Sequence, residues 1–201
     1  MTAPSNSSPR RIGAEDSKTR AQLVAAAGQL MLEEGYAAVT SRHVAAKAGL
    51  KPQLVHYYFR TMDDLFLAVF RESAEANMAR FEREIAADCS LETLWRLNAD
   101  TRGAPFNIEF VALANHRKAI RTEIAAYAER FRAAQLAALT RALAVDGVGI
   151  GGLPPTVVLL LMTGVTQVLG LEEALGVTTG HRETVAYIEQ ALARLGVTSR
   201  P

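Results

Sequence analysis

Between Lys51 and Arg60 the chain reads KPQLVHYYFR, and side chains able to read or grip a polyanion recur there at helical spacing. With Val55 and Phe59 turned inward, a rotation of about 100° per residue sends Gln53 and Tyr57 almost directly outward, flanked by Leu54 and His56. Such a face is of little use to a core and suits a DNA major groove. A Gln carboxamide can bond adenine twice, His and Tyr reach base edges or phosphates, and Leu touches a thymine methyl. Lys51 at the helix start would neutralise a phosphate or reach a guanine. A generic helical hairpin packed into a core is the competing reading, and the polar outer face separates the two.

Other reactive residue types lack a constellation. His43, His56, His116 and His181 share no metal-ligand spacing with one another or with Cys89, so no metal and no cofactor is expected. Asp63 and Asp64 are paired carboxylates, but at a helix start they answer the helix dipole. GVGIGG lacks the preceding strand and the helix spacing of a phosphate loop, and reads as a connector. Cys89, the only cysteine, cannot form an intrachain disulfide and reads as an inert thiol in a reducing cytosol. No catalytic set emerges, and no enzymatic activity is expected.

The elements that must position the outward face follow from caps and breakers. Residues 1–16 are rich in Ser and Pro and read as a flexible arm. Ser17 can cap a first helix, KTRAQLVAAAGQLMLEEG, whose Leu23, Ala27, Leu30 and Met31 share one side and whose Gly35 is its stop. Thr40 caps a short helix SRHVAAKA ending at Gly49, and a third helix starts at Lys51 and Pro52 and runs to Tyr58. Two short helices joined by a tight glycine turn have the dimensions of a helix-turn-helix. TMDD makes a capping box from Thr61 to Asp64, opening a long fourth helix to Ala87. Beyond the break at DCS, a helix is expected from Leu91 to Arg102, interrupted by Gly103 and Pro105. One or two helices follow over PFNIEFVALANHRKAIRTEIAAYAERFRAAQLAALTRAL, then a loop VDGVGIGGLPP and two more helices. No stretch alternates as a strand would, so the expected class is all-α. The domains expected are an arm over 1–16, a helix-turn-helix domain over 17–60 and a larger helical domain over 61–201.

Charge and hydropathy agree with this division. Hydrophobic residues make up 49% of the 201 and charged ones 21%, enough for a core and unlike a disordered chain. Residues 1–60 carry eight Lys/Arg against four Asp/Glu, while the remainder carries fourteen against seventeen. A basic first third on a mildly acidic body fits a polyanion at one end only. The N-terminus has no apolar signal stretch and the longest apolar run, Val157 to Met162, is too short for a bilayer. The protein is expected to be soluble and cytoplasmic.

The stretch EEGYAAVTSRHVAAKAGLKPQLVHYYFRTMDDLFLAVF, within Leu23 to Phe70, resembles the DNA-binding domain of the tetracycline-repressor (TetR) family. The glycine after helix one, the Thr cap, the AxxAG turn, the YYF ending and the acidic start of helix four carry the likeness. It departs from the common pattern at Lys51, His56 and Met62. The resemblance implies three DNA-binding helices, a helical ligand-binding body, and two last helices forming a four-helix bundle with a second subunit. Thr40, Ser41, Arg42 and Arg60 join Lys51, Gln53, Leu54, His56 and Tyr57 as expected contacts to a palindromic double-stranded operator.

Two further sets are expected in the body. Trp95, Phe106, Phe110, Tyr127, Phe131 and Met162 each read first as core, and collectively as the lining of an apolar cavity. Asn107, Asn115, His116 and Gln167 would be its polar groups, for a small, largely apolar effector of unknown identity. Arg117, Lys118, Glu123 and Arg130 fit i,i+4 pairing on an exposed face. The helix over 156–171 carries Val157, Leu160, Leu161, Val165, Val168 and Leu169, with Gly164 and Gly170 permitting close approach of another helix. Together with Val185, Ile188 and Leu192 of the last helix these residues predict a homodimer. The function expected is a ligand-released transcriptional repressor. A helical enzyme or lipid carrier, or a regulator that activates or senses nothing, is the alternative.

Overall fold

The computed structural model describes residues 17–146 and 152–194; the expected arm, most of the glycine-rich connector and residues 195–201 lie outside that range. Among the described residues every regular element is a helix. In chain order these are α1 (Lys18–Glu34), α2 (Ser41–Lys47), α3 (Pro52–Tyr58), α4 (Met62–Ala87), α5 (Leu91–Asn98), α6 (Ala104–His116), α7 (Lys118–Asp146), α8 (Pro155–Ala174) and α9 (His181–Arg194), with 3₁₀ turns at Tyr36–Ala38 and Thr101–Gly103. The all-α class stands, with an N-terminal helix-turn-helix and a larger helical body.

The chain divides inside α4 into two compact units, one ending at Arg71 and the other starting at Glu72. In the first unit the expected caps form. Ser17 Oγ accepts from Arg20 N at 3.1 Å and Thr40 Oγ1 from His43 N at 3.3 Å. The Thr61–Asp64 box closes in both directions, at 2.9 and 3.1 Å. The core of this unit joins Leu23, Ala27, Leu30 and Met31 of α1 to Val44 and Ala45 of α2, Val55 of α3, Phe59, and Leu65, Phe66 and Val69 of α4. Burial of each large side chain among them contributes about 1.5–3 kcal/mol.

The second unit is built around Phe81, Ile85, Leu91, Leu94, Leu139, Val158 and Leu159, with Cys89, Phe131, Met162 and Leu192 packed at its edge. Helices α5, α6, α7 and α8 pack on one another to enclose it. Three expectations are corrected here and one left open is decided. The helix starting at Leu91 stops at Asn98, because Asp100 caps a separate 3₁₀ turn. Pro105 interrupts nothing; it sits in the first turn of α6, where its missing N–H costs little. The long segment that follows, left open as one helix or two, is two, divided at Arg117, which is extended. Arg121 stabilises that break by donating to the end carbonyls of Ala114 and Asn115 at 3.2 and 3.1 Å. Finally, Gly170 serves the chain's own packing, since a Cβ there would lie 3.0 Å from Ala104 Cβ.

Helix α8 extends well past its six-residue apolar run. Thr163, Gly164, Thr166 and Gln167 follow that run without charge, so the 20-residue helix holds an 18-residue stretch of mean hydropathy 1.5 and has the length and composition to cross a membrane. Only 22% of that stretch is buried within the chain.

Candidate functional site

Helix α3 is placed by a short, tightly determined path. Gly49, at φ +68°, closes α2 in a left-handed turn in which Leu50 N donates to Ala45 O at 2.8 Å; a Cβ would be strained there. Lys51 is the N-cap without a side-chain bond and Pro52 opens the helix with its φ already helical. Val55 and Phe59, 1% and 3% exposed, anchor α3 from below, and the Arg20 guanidinium lies 5.1 Å above the Phe59 ring. Phe59 itself is extended and ends the helix.

That anchoring leaves Gln53, His56 and Tyr57 exposed and Leu54 half-buried, with Lys51 and Arg60 exposed at the two ends. The Tyr57 and Tyr58 rings meet edge to face at 5.0 Å, which holds Tyr57 upright although it is 45% exposed. At the N-terminus of α2, Thr40 and Arg42 are exposed and Ser41 is half-buried. His43 Nδ1 lies 3.1 Å from Ala38 O, tying α2 to the 3₁₀ turn before it. Lys47 pairs with Glu33 of α1, so this cation is engaged within the unit. The helix-turn-helix therefore offers one face with hydrogen-bonding side chains and cations on it and no carboxylate from α2 or α3. A major groove takes a face of this kind.

In the second unit the expected effector residues separate by depth. Trp95 and Phe110 are buried, at 5% and 2% exposure, and Phe106, Tyr127, Phe131 and Met162 are half-buried. Tyr127 stacks on Phe131 at 5.7 Å, Phe131 meets Phe81 at 5.1 Å, and Phe106 meets Phe110 at 4.8 Å. The Tyr127 hydroxyl accepts from Asn77 Nδ2 at 2.8 Å, and burial pushes its phenol upward against that bond. Asn107, Asn115, His116 and Gln167 are exposed, so the structure does not bring these polar groups to the aromatic set. The buried Gln135 and the half-buried Asn98 were not expected. They are bonded at 3.1 Å across 37 residues of sequence, a separation no local pattern carries.

Charges pair between helices. Arg130 binds Glu75 of α4, Arg96 binds Glu84, and His181 Nε2 lies 2.8 Å from Glu172. Asp100 accepts from Arg102 and Arg80, and these guanidiniums hold its carboxyl far below the usual carboxylate range. Among the described residues no group of three or more His, Cys, Asp or Glu is placed to hold a metal ion.

Along α8, Val157, Leu160, Leu161, Gly164 and Val168 are exposed, and Val165 and Leu169 are half-buried beside them. Val185, Ile188 and Leu192 of α9 are half-buried, Leu192 partly against the chain's own core. The stripe runs further than expected, through Leu171 and Leu175 to Val177, with Tyr187 of α9 also 70% exposed.

Comparison with known proteins follows the same division. Residues 23–69 match the profile of bacterial regulatory proteins of the tetR family. Three solved structures share the fold over most of the chain. A TetR transcription regulator from Haloarcula marismortui superposes with a TM-score of 0.68 at 17% identity, over 88% of this chain and 95% of its own. A Rhodococcus sp. protein assigned as a transcriptional regulator gives 0.64 at 25% identity, over 90% and 97%. A Saccharomonospora viridis protein of the same assignment, solved in complex with choline, gives 0.69 at 18%, over 78% and 85%. No curated protein matches the sequence.

Proposed function

We propose, from the premise that residues 23–69 are a DNA-binding domain of the tetR family of bacterial regulatory proteins, that the chain is a homodimeric repressor released from its operator by a small, largely apolar molecule. The family match over residues 23–69 and the shared fold support reading the chain as a TetR-type DNA-binding transcriptional regulator. Repression, dimerisation and ligand release go beyond that match. No chemical step belongs to this reading, and the protein acts in the cytoplasm, where its DNA is.

The observation that carries the proposal is the outer face of α3: Gln53, His56 and Tyr57 exposed above buried Val55 and Phe59. In a two-fold dimer two such helices enter successive major grooves about one helical turn apart. The exposed apolar stripe of α8 supports the dimer. Such a stripe is costly to leave in water and self-complementary across a two-fold axis. The aromatic set of the body supports an effector region, as does the choline complex of the Saccharomonospora viridis protein. An effector releases DNA only by binding the non-matching spacing of the recognition helices more tightly than the matching one. Helix α4 belongs to both units and is the covalent route for that coupling.

A gel shift and footprint with the DNA upstream of the protein's own coding sequence test the core of this reading. A two-fold symmetric protected site, lost when α3 is altered, is expected. Uniform, sequence-independent retardation that disappears with added salt would remove the operator reading.

A further inference from the structure

The 3₁₀ turn Thr101–Gly103 joins two helices that serve different ends of the proposed function. Its N-cap is Asp100, whose side chain is 13% exposed. Asp100 Oδ1 accepts from Arg102 N at 3.2 Å and from Arg102 Nε at 2.8 Å. Its Oδ2 accepts from Arg102 Nη2 at 2.7 Å and from Arg80 Nη2 of α4 at 2.5 Å. Three of these bonds come from the turn itself and fix the carboxylate; the fourth reaches α4. The next residue faces another helix. Thr101 Oγ1 donates to Glu173 Oε2 of α8 at 2.9 Å. Beside that bond the backbones approach closely, for a Cβ on Gly170 would lie 3.0 Å from Ala104 Cβ and 3.5 Å from Thr101 Cγ2. Arg80, Asp100, Thr101 and Glu173 thus carry an unbroken series of contacts from α4 to α8. The ties of Glu75 and Asn77 end on α7, and that of Glu84 ends on α5.

Where the turn meets α8 decides what this series can do. Gly170 and Glu173 lie about 200° around the helix from Val168 and Leu171, which are 52% and 47% exposed. The turn therefore bears on the face of α8 opposite the apolar stripe. A second copy seated on the stripe fixes α8, and the turn fixes where α4 stands against it. Charge-assisted hydrogen bonds such as Arg80 to Asp100 hold direction as well as distance. We infer that the turn Asp100–Ala104 is a strut between the dimer face of α8 and helix α4. Arg80, Asp100 and Thr101 are then positioning residues for the separation of the two recognition helices. Their part is the choice of half-site spacing, not the reading of bases. This rests on the dimer reading above and deepens it.

Gel shifts of the full chain on operators with one base pair removed from or added to the centre test the strut. Each change moves the half-sites by about 3.4 Å and turns them by about 35°. The wild type should bind the native spacing more tightly than either altered one. Arg80→Met keeps an unbranched stem and cuts the tie to Asp100. It should lower that preference about tenfold, the size of one hydrogen bond to a charged group, chiefly by weakening the native spacing. Thr101→Val should lower it less, and Thr101→Ser, which retains the hydroxyl, should keep it. Gly170→Ala presses the turn away from α8 without removing a bond and should also lower it, so the outcome does not hang on one variant that fails to fold. Light scattering on the same samples should find the wild type and all variants at one dimer mass. Affinity lost in equal proportion at all three spacings, or a preference unchanged in every variant, overturns the strut and leaves the dimer standing. A monomeric wild type, or one that prefers no spacing, overturns the dimer reading and the strut with it.

Discussion

On α3 the side chains left outside are Gln53, His56 and Tyr57; on α8 they are Val157, Leu160, Leu161 and Val168. Both helices bury their opposite side, α3 through Val55 and α8 through Val158, Leu159 and Thr166. The difference lies in what water can do for the exposed face. Gln, His and Tyr stay hydrated and wait for a partner that exchanges those hydrogen bonds one for one, with a sequence-dependent pattern. Leucines at 54% and 57% exposure gain from any surface that excludes water, and a second copy of the same stripe is the surface always at hand. Under the proposed function one helix discriminates and the other associates.

The largest effect should come from breaking the second half of that comparison. Leu160→Glu combined with Leu161→Glu sets like charges against each other across a two-fold axis. The wild type is expected at twice 21.7 kDa and the variant as a monomer, by light scattering at micromolar concentration. Its operator affinity should fall by on the order of 100-fold, because the half-sites are no longer bound as one. A monomeric wild type would end the dimer proposal. On α3 the effects are smaller and sharper. Gln53→Ala should lose about 1–3 kcal/mol of discrimination between the operator and a base-substituted copy. Lys51→Ala should weaken all sequences alike and lower the salt slope by about 1. Unchanged discrimination in Gln53→Ala takes Gln53 out of the readout.

The smallest effect concerns charge within the body. Asp100, with its side chain 13% exposed between Arg80 and Arg102, has its folded-state pKa depressed. Its contribution is therefore present above the unfolded carboxyl value of about 4 and is lost as pH falls through the folded one. Asp100→Asn should lower the melting temperature at neutral pH and flatten the decline between about pH 5 and pH 2. A variant that declines in acid as steeply as the wild type would show that other carboxylates carry the acid response.

What could be read from the residues was whatever a few neighbours decide. The Ser17, Thr40 and Thr61–Asp64 caps are local hydrogen bonds, and each forms as written. The orientation of α3 needed only a rotation angle and two inward anchors. Gly170 and Gln167 show the limit: the α8 glycine faces Ala104, 66 residues away in sequence, while Gln167 lies on the open side. Periodicity marks a face but not which neighbour covers it. The Asn98–Gln135 bond is the same problem in polar form, since two amides reveal nothing until folding brings α5 and α7 together. Pro105 was read as a breaker because a helix interior excludes it; one position from a helix start, the same ring is tolerated.

Trp95 is the chain's only tryptophan and is 5% exposed in α5, one turn before Asn98. Excited at the red edge of indole absorption, where tyrosine is dark, the unlabelled protein emits from the body alone and the DNA-reading unit is silent. An effector seated in the body near Trp95 should shift or quench that emission, whereas operator DNA should move it only as far as α4 conveys the event. The ratio of the two responses would then be an optical measure of coupling, obtained without a label or a mutation.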